Sequence, residues 1–304
     1  MERVSTFGLG QTMLSSTLSL QSRLAKAELQ NASGLKTSTY TALGAADSSR
    51  LVSVEDALTK TKAWSSNTQT VLDRVEVMYN SVGSIADKMT SLRSTLSTAM
   101  SDTNSTTDYA ALGDDLLDDL SGLMNVQVDG RYLFGGSRTD TAPVDVSLLT
   151  AAPTTADTSY YQGDSSLASI RVSDDQTITY GVTADNSGFE KALRAANMLK
   201  DISSSATSTS SVDSSKVKAA YDLATDALKD LLKTQGGLSL SSSRLEAVKT
   251  TQDNAVTMLT DRVSDLKSVD VAEVSVTISQ LQNTLEASYS ALGKITSLSL
   301  VKYL

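Results

Sequence analysis

Two stretches of this chain hold residue types at spacings that could do chemistry. "GDDLLDDL" (Gly113 to Leu120) places Asp114 with Asp118, and Asp115 with Asp119, at a separation of four. On a helix such residues are neighbours, so each pair could act as an acid couple or share a divalent cation. "FGLG" (Phe7 to Gly10) has part of the glycine pattern of a phosphate-cradling loop. Neither reading carries far. Charge runs on helices are ordinarily solvated faces. The glycines lack the third glycine, the lysine and the preceding strand that a phosphate loop requires. The chain contains no histidine and no cysteine, which removes the commonest general base and metal ligand and every thiolate site or disulfide. The expectation is therefore no enzyme, with no catalytic residue, no metal ligand and no cofactor. Trp64 and the methionines read as gap-filling packing residues.

The wider composition narrows the partners. With 304 residues and 40% apolar content the chain can build two or three domains with packed cores. Its net charge of −9, without any basic block, argues against nucleic acid and against anionic lipid. "VSTFGLGQTMLSSTLSLQS" (Val4 to Ser22) is uncharged, but Ser, Thr and Gln interrupt it throughout. It matches neither a secretory leader nor a membrane span. If the protein leaves the cell, the expected route needs no cleaved signal peptide.

The elements that must position any site divide the chain into flanks and a centre. Both prolines, Pro143 and Pro153, lie near the middle, leaving the flanks free of the strongest helix breaker. Val71, Val75, Met78, Val82, Ile85, Met89, Leu92 and Leu96 recur at alternating steps of four and three, a heptad seam on one long helix. A shorter helix follows with Tyr109, Leu112, Leu116, Leu120 and Leu123 on one face. In the second flank, Phe189, Leu193, Leu199 and Ile202 predict a helix, and "SSSATSTSSVDSS" (Ser203 to Ser215) a flexible loop. "KVKAAYDLATDALKDLLKTQ" predicts a helix stopped by Gly236 and Gly237. A second seam runs from Leu245 to Val269, expected to pack against the first. The centre reads as β: "ASIRVSDDQTITYGV" (Ala168 to Val182) is a hairpin signal about its "DDQ" turn.

The ends of the chain are amphipathic yet almost uncharged. Between Val274 and Leu304 the only charges are Glu286, Lys294 and Lys302. The apolar stripe changes direction near Asp270, and Asp270 with Glu273 has the spacing of a capping box, which predicts a helix start. The two ends are expected to pair, with Leu14, Leu18, Leu24, Val274, Ile278, Leu281, Leu285, Leu292 and Ile295 forming an assembly interface with other subunits. The fold class expected is mainly α: a long-helix coiled-coil rod with paired terminal helices and a small central β domain. The expected division is 1–45 with 270–304 as the terminal pair, 46–130 with 190–269 as the helical rod, and 131–189 as the outer β domain.

Four stretches resemble a known family. "RVSTFGLGQTMLSSTLSLQSRLAKAELQNASGLK" opens the chain; "DGRYLFGGSRTDTAPV" leads into its centre; "SSSRLEAVKTTQDNAVTMLTDRVSDLKSVDVAEVSVTISQLQNTLEASYSAL" and "SLSLVKYL" close it. Together they are similar to the flagellin-like axial proteins of the bacterial flagellum, and within that family to the hook-associated proteins of the hook–filament junction. After Ser33 and Gly34 the segment "LKTSTYTALGAADSS" departs from the family's basic, Pro- and Asp-containing continuation. The resemblance implies a structural protein of motility that joins hook to filament by helical self-assembly. It implies as partners copies of itself, neighbouring hook-associated and flagellin subunits, and an export chaperone at the C-terminal helix. It also implies export through the flagellum's own channel to an extracellular location. The alternatives are a filament flagellin and a secreted helical adhesin.

Overall fold

The computed structural model describes residues 2–101, 107–150, 155–204 and 213–301, with side chains for all of these except 2–7, 203–204 and 295–301. The fold is mainly α with a small β region at mid-chain. Its helices are α1 (Glu2–Ser33), α2 (Ala45–Ser101), α3 (Tyr109–Met124), α4 (Ser187–Ser204), α5 (Ser214–Lys267) and α6 (Val271–Val301). Between α3 and α4 lie two antiparallel hairpins, β1 (Gln127–Val128) with β2 (Arg131–Tyr132), and β3 (Ala168–Arg171) with β4 (Thr177–Tyr180). The expected Ser/Thr loop falls mostly outside the described residues; at its end Asp213 accepts from the Ser215 and Lys216 amides at 3.0 and 3.4 Å and starts α5.

The chain forms two compact units, one of residues Thr61–Asn254 and one of Met1–Lys60 with Ala255–Leu304. The first has a contiguous core. All eight residues of the Val71–Leu96 seam are buried in it. Their partners differ from the expected helix segment. The core is completed by Leu116, Leu120 and Met124 of α3, by Phe189, Leu193 and Leu199 of α4, and by Val217, Ala220, Ala224, Ala227, Leu231, Leu238 and Leu245 of α5. Of the predicted second seam, the first part reaches this core, at Leu245 and Val248, and Gln252 beyond them is buried with its amide donating to the Val172 carbonyl at 2.8 Å. The alanine run explains the difference: small residues once per turn let a neighbouring helix lie close to α5, and α4 reaches it through Ser187 and Lys191, both bonded to Asp230.

The two mid-chain glycines do not stop the helix. α5 runs unbroken through Gly236 and Gly237. Leu231, Leu238 and Leu245, each one heptad on from the last, are 0%, 2% and 0% exposed. Burying a leucine is worth about 1.5–3 kcal/mol, which outweighs the cost of about 1 kcal/mol per helical glycine.

The β region is built into the same core. Phe134 packs edge-on against Phe189 with ring centroids 5.4 Å apart. Tyr160 is fully buried, and its hydroxyl donates to the Ala184 carbonyl at 2.8 Å. The expected hairpin is present, with Ala168 opposite Tyr180 and Arg171 opposite Thr177. The β1–β2 turn uses Asp129 (φ 53°) and Gly130 (φ 71°), the paired positive φ values of a type I′ turn. The acidic run of α3 is tied to neighbouring helices: Lys200 meets Asp114 at 2.6 Å, and Lys88 bridges to Asp119.

Candidate assembly surface

The second unit is built around one helix pair, α1 against α6. Along α1 the less exposed positions are Gly10, Met13, Thr17, Leu20, Leu24, Ala27 and Gln30, at heptad steps of three and four. Along α6 they are Val274, Ile278, Leu281, Leu285, Ser288, Ala291 and Leu292. Each helix thus turns one narrow stripe inward, the geometry of a two-stranded coiled coil. Polar contacts flank the seam: Ser275 donates to the Asn31 amide oxygen at 3.2 Å, and the Gln21 amide donates to the Tyr289 hydroxyl.

The sequence-predicted interface residues separate into two groups. Val274, Ile278, Leu285 and Leu292 are half-buried and Leu281 is 8% exposed, all on the inward stripe of α6. Leu24 lies on the matching stripe of α1. Leu14 and Leu18 lie on the opposite side of α1, 50% and 56% exposed. The Ile295 side chain lies outside the described residues. The outward leucines continue to Leu29, and α6 adds Val276 and Tyr289. The inward stripe of α1 was hidden in the sequence because Gly10 and Thr17 interrupt its apolar pattern; heptad spacing from Met13 to Ala27 was the available signal.

A compact joint connects this pair to α2 and α5. Gly34, at φ 69°, ends α1, with its amide bonded to Gln30 O at 2.8 Å. That conformation favours glycine, as at many helix C-termini. The connectors then exchange backbone bonds, Lys36 N to Lys267 O at 2.7 Å and Val269 N to Gly34 O at 3.0 Å. The Lys36 ammonium donates to the Asp265 and Leu266 carbonyls at 2.8 and 3.2 Å, placing a cation where the dipole of α5 is negative. The predicted helix start at Asp270 is present: its carboxylate accepts from the Ala272 and Glu273 amides at 2.8 and 3.2 Å. Glu55 is shared between the Tyr40 hydroxyl, 2.9 Å away, and the Lys267 ammonium. Lys267 first, then Tyr40, holds the Glu55 carboxyl below its ordinary range. Sequence reasoning found none of this cluster, whose members are distant in the chain and carry no local motif.

Among the described residues no group of three or more acidic side chains could hold a metal ion, and no helix is long and apolar enough to cross a membrane. The chemistry on offer is association through outward apolar side chains on helices with long uncharged stretches, residues 4–22 of α1 and 274–285 of α6.

Residues 221–304 match the family model of the bacterial flagellin C-terminal helical region. No curated protein matches the chain. Among solved structures, a putative flagellar hook-associated protein from Vibrio parahaemolyticus is similar at 18% identity and TM-score 0.58, covering 72% of this chain and 96% of that one. FlgL of Bacillus cereus is similar at 13% identity and TM-score 0.53, covering 69% and 98%. Flagellar hook-associated protein-3 of Legionella pneumophila is similar at 13% identity and TM-score 0.54, covering 70% and 98%. At these identities the likeness is one of fold.

Proposed function

We propose that this chain is a structural axial subunit of the bacterial flagellum that joins hook to filament by self-assembly. The observation that carries the reading is the flagellin match over residues 221–304, the segment that ends in α6. The fold shared with three hook-associated structures supports the junction role over the filament. The partners are copies of the chain, neighbouring hook-associated and flagellin subunits, and an export chaperone that holds the C-terminal helix before assembly. Export proceeds through the flagellar channel, without a cleaved leader. The terminal pair of residues 1–45 and 270–304 is the inner assembling part; residues 46–130 with 190–269 form the supporting rod, and 131–189 the outermost part.

The uncharged stretches of residues 4–22 in α1 and 274–285 in α6 suit this role. Any charge on a subunit in a closed wall recurs at close range on its neighbours, where partial desolvation strengthens repulsion. Serine, threonine and glutamine avoid that cost. Immuno-electron microscopy of flagella tests the proposal. A narrow labelled band at the distal end of the hook is expected; label along the filament makes the chain a filament subunit, and unlabelled flagella exclude both. Leu14→Asp with Leu18→Asp supplies a second test. The expected melting temperature is close to wild type, because both side chains are exposed, while motility is lost in a strain depending on the variant.

A further inference from the structure

α3 and α5 each expose a glycine that packing within the subunit does not explain. Gly122 and Gly236 face solvent, and a Cβ added at either would meet nothing within 4 Å. Glycine weakens a helix; what it offers at an open position is close approach by another backbone. Each glycine follows an exposed charge by seven residues, two turns along the same face: Asp115 on α3 and Lys229 on α5. Asp118 lies between the first two and Lys233 between the second two, both exposed. Their neighbours Asp114, Asp119 and Asp230 are engaged within the chain by Lys200, Lys88 and Lys191. α3 thus turns an acidic face to solvent and α5 a basic one, the latter flanked by Leu232 and Leu240, 53% and 55% exposed.

The directions of the helices decide how two such faces can meet. α3 runs antiparallel to α2, with Asp119 beside Lys88 and Asp129, just past the end of α3, beside Arg74. α5 also runs antiparallel to α2, with Asp253 beside Ser65 and Gln235 beside Gly83. α3 and α5 are therefore parallel to each other. Both faces point away from the core, since Leu116 and Leu120 on the other side of α3, and Leu231 and Leu238 on the other side of α5, are buried. In two copies that point the same way, α3 of one and α5 of the next are again parallel, and a parallel pair brings equal spacings into register. Asp115 then faces Lys229, Asp118 faces Lys233, and Gly122 crosses Gly236.

We propose that the basic face of α5, centred on Gly236, docks onto the acidic face of α3, centred on Gly122, of a second, like-oriented copy of this chain. The glycines set the close crossing, the charges set its register, and the two leucines shield it from water. The two surfaces differ, so the contact is heterologous and repeats from copy to copy into a ring or helical row. The inference rests on the proposed self-assembly and deepens it, by naming a contact outside the α1–α6 pair.

The chain has no cysteine, so engineered thiols report cleanly. The full-length chain carrying both Gly122→Cys and Gly236→Cys is tested as the sole copy in isolated flagella and as concentrated protein, each oxidised; circular dichroism of the protein should match wild type. A ladder of linked species is expected from flagella, and neither single variant should link. In the double-cysteine background, Asp115→Lys or Lys229→Asp alone should lower the linked yield roughly tenfold, and the two reversals together should restore it. A labelled junction band that yields monomer alone overturns this contact and leaves the proposed function. Dimers from either single variant, or a double reversal that restores nothing, also overturn it. Unlabelled flagella count against the proposed function, and the concentrated protein then decides the contact: a ladder supports it and monomer overturns it.

Discussion

Thr68 is fully buried on α2, and its hydroxyl has no hydrogen-bond partner among the described residues. A buried donor left unmade costs about 1–3 kcal/mol. Thr68→Val keeps the shape and removes the hydroxyl, so we expect it to raise unfolding stability by about 1 kcal/mol, measured as a higher urea midpoint at unchanged slope. Two aspartates act in the opposite sense. Asp157 accepts from the Thr150 and Ser159 amides, both at 2.9 Å, and Asp164 from the Ser137 and Ser166 amides at 3.0 and 2.8 Å. Ser159 leads in holding Asp157 well below the ordinary carboxylate range, and Ser137 does so for Asp164. A carboxyl whose pKa is depressed by folding stabilises fully above its unfolded value of about 3.9. That stability is lost as pH falls toward the folded value. The urea midpoint should thus stay level from neutral pH down to about 5 and drop below about 4. Asp157→Asn and Asp164→Asn should each lower the midpoint at pH 7 and flatten the acid limb; an unchanged limb would show that these loops contribute nothing to the cooperative unit.

At the scale of elements, the joint between the helix pair and the longer helices rests on Glu55, Tyr40 and Lys267. The Lys267 pKa is raised first by Glu55, and that of Glu55 lowered first by Lys267. The Glu55 contribution is present above about pH 4.3, and the Lys267 contribution below about pH 10.4 and lost above it. The joint should hold firmest between those limits. Both groups are partly solvated, Lys267 with its side chain 35% exposed and Glu55 27%, so Glu55→Gln should cost only about 0.5–1 kcal/mol. Faster proteolytic cutting between residues 34 and 44 is the sensitive readout. How legible each element was follows from how local its cause is. The Val71–Leu96 seam and the Ala168–Val182 hairpin are written in a single periodicity and were readable. The helix start at Asp270 was readable from one side chain and its spacing. The β1–β2 turn was overlooked although Asp129-Gly130 is a strong local signal. Continuity of α5 through Gly236 and Gly237 was not readable, because the decision lies with leucines pressed into a core built by other helices. The inward stripe of α1 was obscured by Thr17, and Leu14 and Leu18, the residues that attract attention, face away from it.

On the scale of the whole molecule, the two units differ in what holds them. One encloses a contiguous core of aliphatic and aromatic side chains. In the other, the buried apolar residues among those described are Ala27, Leu51 and Leu281, beside the polar Thr17. Two helices alone cannot exclude water from a seam with glycine, threonine and serine among its members, and isolated helices owe their stability mainly to tertiary packing. Local opening free energies should therefore diverge within one chain. We expect hydrogen exchange in the free subunit to be rapid along α1 and α6 and slow along residues 71–99, α3 and α4. Assembly should slow α1 and α6 selectively, because neighbouring copies supply the faces that Leu14, Leu18 and Val276 now turn to solvent. If the α1 amides of a proven monomer exchange as slowly as those of the Val71–Leu96 seam, the pair is stable by itself and its outward leucines need another explanation. If they exchange fast and stay fast in assembled flagella, the pair is not the part that assembles.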